Sequence, residues 1–439
     1  MGRRAGRCLR TENGPEEERP LTLAEKILAA HTGRKSVQPG EFLNVSLDLV
    51  MTTDGTGLIA VRQFQKMGAR KVFDPRKVVL VLDHSVPAPN VDAAETSRVL
   101  REFAFQHGAL LYDVGRSGIV HVLLPEQGLV LPGDVVAGGD SHTCTYGALG
   151  AFATGMGATD IAFAMAFGRT WMRVPESIRL VYHGHLSPWV GGKDLILSTI
   201  RQIGVEGANY KAIEFTGPVI EALHMDERFT MANMAVEAGA KAGLFPVDEE
   251  TLAYVKERAQ RPYAVYQPDP EAAYAQTLEI DVCSLEPQVA FPHSPANARP
   301  VREAKEVEIE QAVIGSCTNG RITDLRIAAR ILASRKIHPR VRCIILPGSQ
   351  GVYLEALREG LIETFIQAGA AVSTPTCGPC VGAHMGVLAA GERCISTTNR
   401  NFIGRMGSPK SEVYLANPAV VAASAVQGRI VHPQEVLGK

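Results

Sequence analysis

Short apolar runs, broken by glycine turns and joined by stretches of helical spacing, alternate along almost the whole chain. A helix is predicted over residues 21–28, where Thr22 stands three positions before Glu25 in a capping-box arrangement. Residues 78–82 (Val-Val-Leu-Val-Leu) offer no polar position to water, so they predict a strand buried on both faces, ending at Asp83-His84. Residues 91–107 read as a helix, and 118–124 and 134–137 as two more short strands. The second strand runs into the glycine-rich turn Gly138-Gly139-Asp140-Ser141-His142-Thr143. Residues 158–172 are so rich in alanine that a helix packed on most sides is expected there.

From about Val174 the character changes, with a strand over 178–183 and helices over 193–203 and 230–242. The polar, proline-rich stretches 267–270 and 287–300 read as linkers. A strand over 307–314 then ends near Cys317. It is followed by a helix (322–334), a strand (341–346) and a helix (353–369) with Leu354, Leu357, Leu361, Phe365 and Ala368 on one face. Strand–helix–strand–helix implies a parallel sheet, whose ligands gather beyond the carboxyl ends of the strands, where Cys317 falls. These breaks predict a disordered tail (1–20) and three α/β domains, 21–175, 176–285 and 286–439.

Composition agrees with this picture: 439 residues, frequent glycine (42) and proline (26) without low-complexity tracts, and sparse aromatics suit a soluble α/β enzyme of about three domains. A formal charge of -1 argues against a surface built chiefly for nucleic acid. The N-terminal segment has no apolar core for a secretory signal, its Glu16–Glu18 run is wrong for an organelle transit peptide, and Gly6 spoils a myristoylation motif. No apolar stretch is long enough for a membrane span. A reducing cytoplasm is therefore expected, with no disulfide framework among the eight cysteines.

Three of those cysteines carry candidate chemistry: Cys317 in Ile314-Gly315-Ser316-Cys317-Thr318-Asn319-Gly320, and the pair in Thr376-Cys377-Gly378-Pro379-Cys380. Three thiolates can hold three corners of an iron–sulfur cube and leave the fourth iron open as a Lewis acid. Two other readings of the pair stand beside it. Cys-Gly-Pro-Cys is also a thiol-redox motif, although here it sits near the end of a long chain with no tryptophan before it. A structural zinc site would take His384 as its fourth ligand. Cys317 favours the cluster, because it ends a strand in a loop of Gly, Ser, Thr and Asn whose N–H and hydroxyl groups can bond cluster sulfurs. Cys8, Cys144, Cys283, Cys343 and Cys394 read as buried thiols without a role.

An acid–base set accompanies the cysteines: Asp83-His84 after a buried strand, His121 in an apolar run, Asp140 and His142 flanking Ser141, and Glu237 among Met231, Met234 and Ala235. Taken singly, His121 reads as a core histidine and Glu237 as a solvated helix carboxylate. Together, three histidines and three carboxylates are numerous enough to pair, orienting each imidazole and fixing its proton.

These motifs, with Gly157-Ala158-Thr159-Asp160, Asn233 and Asn399-Arg400-Asn401-Phe402-Ile403-Gly404-Arg405, follow one another in the order found in the aconitase superfamily, which the chain resembles from about residue 21 to its end. Its length and its Asn-Phe-Ile-Gly-Arg-Met-Gly run look most like the large subunits of isopropylmalate dehydratases and homoaconitases, rather than single-chain aconitases. The resemblance implies an α/β large subunit of three domains around one [4Fe–4S] cluster, held by Cys317, Cys377 and Cys380 with one iron free of protein. It implies that Asp83 with His84 protonates the departing hydroxyl. The other two pairs would be His121 with Asp140 and His142 with Glu237. Ser141, Arg400 and Arg405 match substrate contacts, and Asn233 and Asn399 match residues near the cluster. Thr53 falls where aconitase places a substrate-binding glutamine, which departs from a citrate site.

The implied reaction is dehydration and rehydration of a hydroxy di- or tricarboxylic acid. The base that takes the carbon proton in the superfamily is a serine on a small swivelling domain, flanked by arginines, which is expected here on a separate small subunit in a heterodimer or heterotetramer. No nucleic-acid or membrane partner is expected. A cluster-free RNA-binding protein is the non-enzyme alternative, and a zinc-stabilised scaffold a third class.

Overall fold

A computed structural model describes residues 19–438. Most of the predicted tail, including Cys8, lies outside the described residues. Arg19 already belongs to the folded body, where its guanidinium bridges the Glu25 carboxylate and the Val37 carbonyl. Thr22 caps the helix Leu23–Ala30 in a complete capping box with Glu25, as the spacing predicts.

Three larger sheets follow in chain order, beside a two-stranded one. The first has five parallel strands in the spatial order Leu110–Tyr112, Val78–Val81, Leu49–Thr53, Val135–Gly138, Phe152–Gly155. The second has four parallel strands, Ala242–Leu244, Ala212–Thr216, Ser177–His183 and Gln276–Asp281. In the third, of seven strands, the parallel set Glu412–Ala416, Arg393–Ser396, Gln311–Ile314, Arg342–Ile345 and Ala371–Val372 is extended antiparallel by Gln288–Ala290 and Ala298–Pro300. Each of the three larger sheets reverses its winding once: the first between Leu49–Thr53 and Val135–Gly138, the second between Ser177–His183 and Gln276–Asp281, and the third between Gln311–Ile314 and Arg393–Ser396. At such a point the loops of neighbouring strands leave in opposite directions and open a crevice at the carboxyl ends. Among the described residues no helix is long and apolar enough to cross a membrane.

Several expectations are corrected. The run 118–124 is not a strand: Val120–Glu126 is a helix, because the Asp83 carboxylate accepts the Val120 N–H (2.8 Å) at its first turn. A short apolar run buried all round carries no period that separates the two forms. The alanine-rich helix stops at Phe167, where Gly168 (φ +65°) turns the chain into the strand Arg169–Arg173, paired antiparallel with Phe42–Ser46. The helix expected over 230–242 is Met225–Met234, tightening into the 3-10 turn Ala235–Ala238. The segment 287–300 is not a linker but supplies two antiparallel strands, of which Ala298–Pro300 forms the sheet's edge. The helix over 353–369 breaks at Gly360 (φ +74°) into Gln350–Arg358 and Leu361–Ala368. The break rotates the first half, so Leu354 and Leu357 are exposed while Val352, Ala356, Ile362, Phe365 and Ala368 are buried. Cys283 is exposed rather than buried; Cys144, Cys343 and Cys394 are buried as expected.

Candidate active site

The three turns that follow strands of the first sheet are tied to one another. Asp54, just beyond Leu49–Thr53, accepts the backbone N–H groups of Asp83 (3.0 Å), His84 (2.9 Å) and Ser85 (2.7 Å). Asp83 caps the helix that carries His121. Asp140 begins the turn after Val135–Gly138, and its Oδ1 accepts the His142 N–H (2.8 Å). Glycine is required before it: a Cβ on Gly138 would lie 2.0 Å from Thr143 Oγ1.

All three expected imidazole–carboxylate pairs form. His84 Nδ1 meets Asp83 Oδ1 at 2.7 Å, His121 Nε2 meets Asp140 Oδ1 at 2.7 Å, and His142 Nε2 meets Glu237 Oε1 at 2.9 Å. Their charge states differ. Burial works against a charged His84, but the Asp83 carboxylate outweighs it and holds the imidazole up to about 10. Burial wins at His121, whose pKa is lowered; it is neutral, donating from Nε2 to Asp140 and accepting the Tyr146 hydroxyl at Nδ1 (3.0 Å). At His142 the bonds to Asp140 and Glu237 overcome burial and raise the pKa. Asp140, despite burial, is held well below the usual carboxylate range by its bonds with His121 and His142. The site therefore offers a protonated imidazole beside a neutral one.

Cys317 sits in the short helix Ser316–Asn319 beyond the switch-point strand Gln311–Ile314. Its Sγ accepts the side-chain amides of Asn233 (3.3 Å) and Asn399 (3.3 Å), and Asn399 in turn donates to Asn233 Oδ1 (3.2 Å). The Cys377–Cys380 loop docks on the first sheet, where the Asp83 carbonyl accepts the Cys377 N–H (2.7 Å) and the Thr376 hydroxyl (2.9 Å). Arg405 Nη2 lies 3.7 Å from Cys380 Sγ. Cys377 hydrogen-bonds Cys380, holding that thiol down and its own up, while burial pushes the Cys317 thiol up. His384 bonds the His84 carbonyl through Nε2 (3.0 Å), and among the described residues it forms no tight metal-ligand group with the cysteines.

One cavity of about 250 Å³ gathers Thr53, Asp83, His84, His121, Asp140, Ser141, His142, the three cysteines, Asn399, Arg400 and Arg405. Asn233 and Glu237 stand directly behind it. Arg400 is oriented by its Nε, which donates to Glu237 Oε1 (2.7 Å). The Arg405 Nε is buried without a partner among the described residues. The three sulfurs do not all lie within 4.8 Å of one another, because among the described residues only Asp54, Asp83 and His84 form so tight a ligand group. A single tetrahedral ion bonding thiolates at ~2.3 Å would bring them within about 4 Å. The spread thus fits a multi-iron cluster better than zinc, and amide and guanidinium donors around buried sulfurs suit its charge.

Four contributors escape sequence reasoning. Asp54 has the signature that flags Asp83, a carboxylate after a buried apolar strand, and was there to be found. Tyr146 and Thr145, which accepts the Asn233 amide (2.8 Å), carry no local signal. Arg321 donates to the carbonyls of Cys317 (3.1 Å) and His121 (3.0 Å), joining the two sheets' loops; its only sign is an arginine just after the Cys317 loop.

Comparison with known proteins agrees with this geometry. The family model described as the aconitase family (aconitate hydratase) matches residues 25–307 and 302–428. The chain is 61% identical over 418 residues to the 3-isopropylmalate dehydratase large subunit of Moorella thermoacetica, spanning 95% of this chain and 99% of that one. It is 58% identical over 422 residues to the protein of the same description from Aquifex aeolicus, spanning 95% and 98%. The crystal structure of aconitase X (holo-form) from Thermococcus kodakaraensis superimposes with a TM-score of 0.50 over 86% of this chain and 88% of that one. At 12% identity, that likeness is one of fold.

Proposed function

The chain belongs to the aconitase family, and on that premise we propose that it is the large, catalytic subunit of a 3-isopropylmalate dehydratase, interconverting 2- and 3-isopropylmalate in leucine biosynthesis. One observation carries the reading: three imidazole–carboxylate pairs and three cysteines, drawn from all three sheets, line or back a single cavity. We divide the chain into domains 21–175, 176–285 and 286–439, a reading supported by the large sheet that each range contains. An exposed thiol such as Cys283 supports a reducing cytoplasm as the working compartment.

Cys317, Cys377 and Cys380 are the residues to hold an iron–sulfur cluster of the [4Fe–4S] type. When bound, it supplies an iron without a protein ligand, a Lewis acid for a hydroxyl and its neighbouring carboxylate. His84, protonated at neutral pH and oriented by Asp83, delivers a proton to the departing hydroxyl. Glu237 occupies the Arg400 Nε and so fixes the guanidinium plane, leaving Nη1 and Nη2 to grip a carboxylate in a fork. Arg405 takes a second carboxylate, and Thr53 and Ser141 offer hydroxyls at the cavity wall. Burial keeps His121 neutral against the pull of Asp140, while the Asp83 carboxylate outweighs burial at His84 and keeps a proton there.

The base for the carbon proton comes from a small-subunit partner that brings a serine and further arginines, in a heterodimer or heterotetramer. The relatives' description as large subunits supports a partner of this kind. The test is co-expression with a small subunit, anaerobic cluster reconstitution, and turnover on 2-isopropylmalate, homocitrate and citrate. Conversion of 2-isopropylmalate by the pair and not by the large chain alone is expected. A loaded large chain that hydrates an unsaturated diacid unaided, or a pair that prefers homocitrate, overturns the reading.

A further inference from the structure

Lys193 is 1% exposed, and its Nζ donates to the carbonyls of Thr397 (2.9 Å) and Thr398 (2.6 Å). It is the second residue of the helix Gly192–Ile203, where a cation opposes the helix dipole, so helix stability does not account for it. Its neighbour Asp194 does not pair with it: that carboxylate is taken by the N–H groups of Gly191 (2.9 Å) and Gln288 (2.7 Å) and the Asn417 amide (2.9 Å). Asp324 likewise accepts the Asn319 amide (2.9 Å) and the Arg321 N–H (3.0 Å). A buried ammonium without a carboxylate partner is costly unless other negative charge faces it.

The carbonyls that Lys193 holds belong to the loop bearing Asn399 and Arg400. Thr397 is also clasped from the other side. Its Oγ1 accepts the Gly315 N–H (2.8 Å) and donates to the Gly315 carbonyl (2.9 Å), while its own carbonyl accepts the Thr318 hydroxyl (3.1 Å). Lys193 thus stands behind the junction of the Cys317 loop and the Asn399 loop, from which the Asn399 amide reaches Cys317 Sγ.

We infer that Lys193 is a positioning residue for the iron–sulfur cluster: it pins the Thr397–Thr398 backbone so that Asn399 and Arg400 face the cavity, and it places a buried positive charge behind the cysteine sulfurs. Burial dominates and leaves the ammonium at about 7 even against the upward pull of Cys380 first, then Cys317, Asp324 and Asp194. The sulfurs of Cys380 and Cys317 are thus the leading negative groups that this buried ammonium faces, beside the two carbonyls it holds. The inference rests on the cluster reading above.

The test compares the full-length chain, co-purified with its small subunit, as wild type, Lys193→Gln and Lys193→Arg. Glutamine keeps a donor for the carbonyls without the charge; arginine keeps the charge. Four quantities are read: melting of the apo chain, iron and acid-labile sulfide content, iron release to a chelator, and the cluster's midpoint potential followed by electron paramagnetic resonance. In Lys193→Gln the apo chain is expected to stay folded, iron release to rise about tenfold, the effect typical of losing an outer partner of a metal site, and the potential to fall. Lys193→Arg is expected to recover most of the difference. A Lys193→Gln cluster with wild-type release and potential overturns the inference, as does loss of fold in its apo chain, which marks a merely structural lysine. A wild-type chain that takes up no iron and sulfide overturns the cluster reading itself, and the inference with it.

Discussion

Replacing Asp83 by asparagine tests the acid most directly. The side chain keeps its shape and its bond to the Val120 N–H, but the carboxylate 2.7 Å from His84 Nδ1 becomes neutral. His84 then keeps only the more distant Asp54 and Asp140 carboxylates, at 3.7 and 3.8 Å, against a burial that disfavours its charge. Its pKa is expected to fall from about 10 to the ordinary 6.5 or below. That is more than three decades in the proton's equilibrium, about 5 kcal/mol. At about pH 7.5 only about a tenth of the imidazole would carry the proton, and the asparagine also favours the wrong tautomer. General acid catalysis is worth roughly 10² to 10⁴ in rate, so kcat should drop about 10²- to 10³-fold with KM little changed. About tenfold should return on going to about pH 6, where the imidazole recharges. The assay is the pH dependence of 2-isopropylmalate turnover by the reconstituted pair, wild type against Asp83→Asn. A variant whose kcat stays within about threefold of wild type, or whose alkaline limb stays in place, refutes the assignment of His84 as the acid.

The same pair makes the stability of the apo chain depend on pH. Because the folded His84 value lies above 6.5, its contribution is full below pH 6.5 and is lost as pH rises through about 10, less the part taken back by the Asp83 carboxyl, which burial pushes up. Urea unfolding at several pH values should show this alkaline decline in wild type and not in Asp83→Asn. Cys377→Ser should abolish iron and sulfide uptake and turnover together while the apo chain melts within about 3 °C of wild type, since a hydroxyl replaces the thiol almost isosterically. Gly315→Ala should cost about 2–4 kcal/mol in denaturant unfolding, because the residue sits at φ +141° and its Cβ would fall 2.4 Å from the Leu346 carbonyl oxygen.

Where a local signal exists, it was readable. The apolar run at 78–82, the capping box at Thr22 and the helix over 91–107, capped by Asn90 and closed by Gly108, all appear where the spacing places them. The misreadings share a cause as well. The run around His121 reads as a strand because an apolar stretch buried on all sides shows neither a period of two nor one of 3.6. Helices expected to continue past Gly168 and into Gly360 stop because glycine adopts a left-handed turn there at little cost. The segment 287–300 became strand because the third sheet had a free edge for it, which proline content does not reveal.

The amino-acid sequence by itself determined the kinds of chemistry present: three cysteines fit for iron, three imidazoles, three carboxylates and two late arginines, most of them beside glycine turns or strand ends. Tertiary structure decided how they meet. His142 and Glu237 are 95 positions apart, and Asn399 reaches Cys317 across 82. Such contacts are set by how the sheets reverse their winding and bring their loops to one crevice, and no spacing along the chain encodes that geometry. Charge states follow from the same source. His84 and His121 each face an aspartate, yet one is held up and the other pushed down, because burial and the neighbouring charges balance differently at each ring.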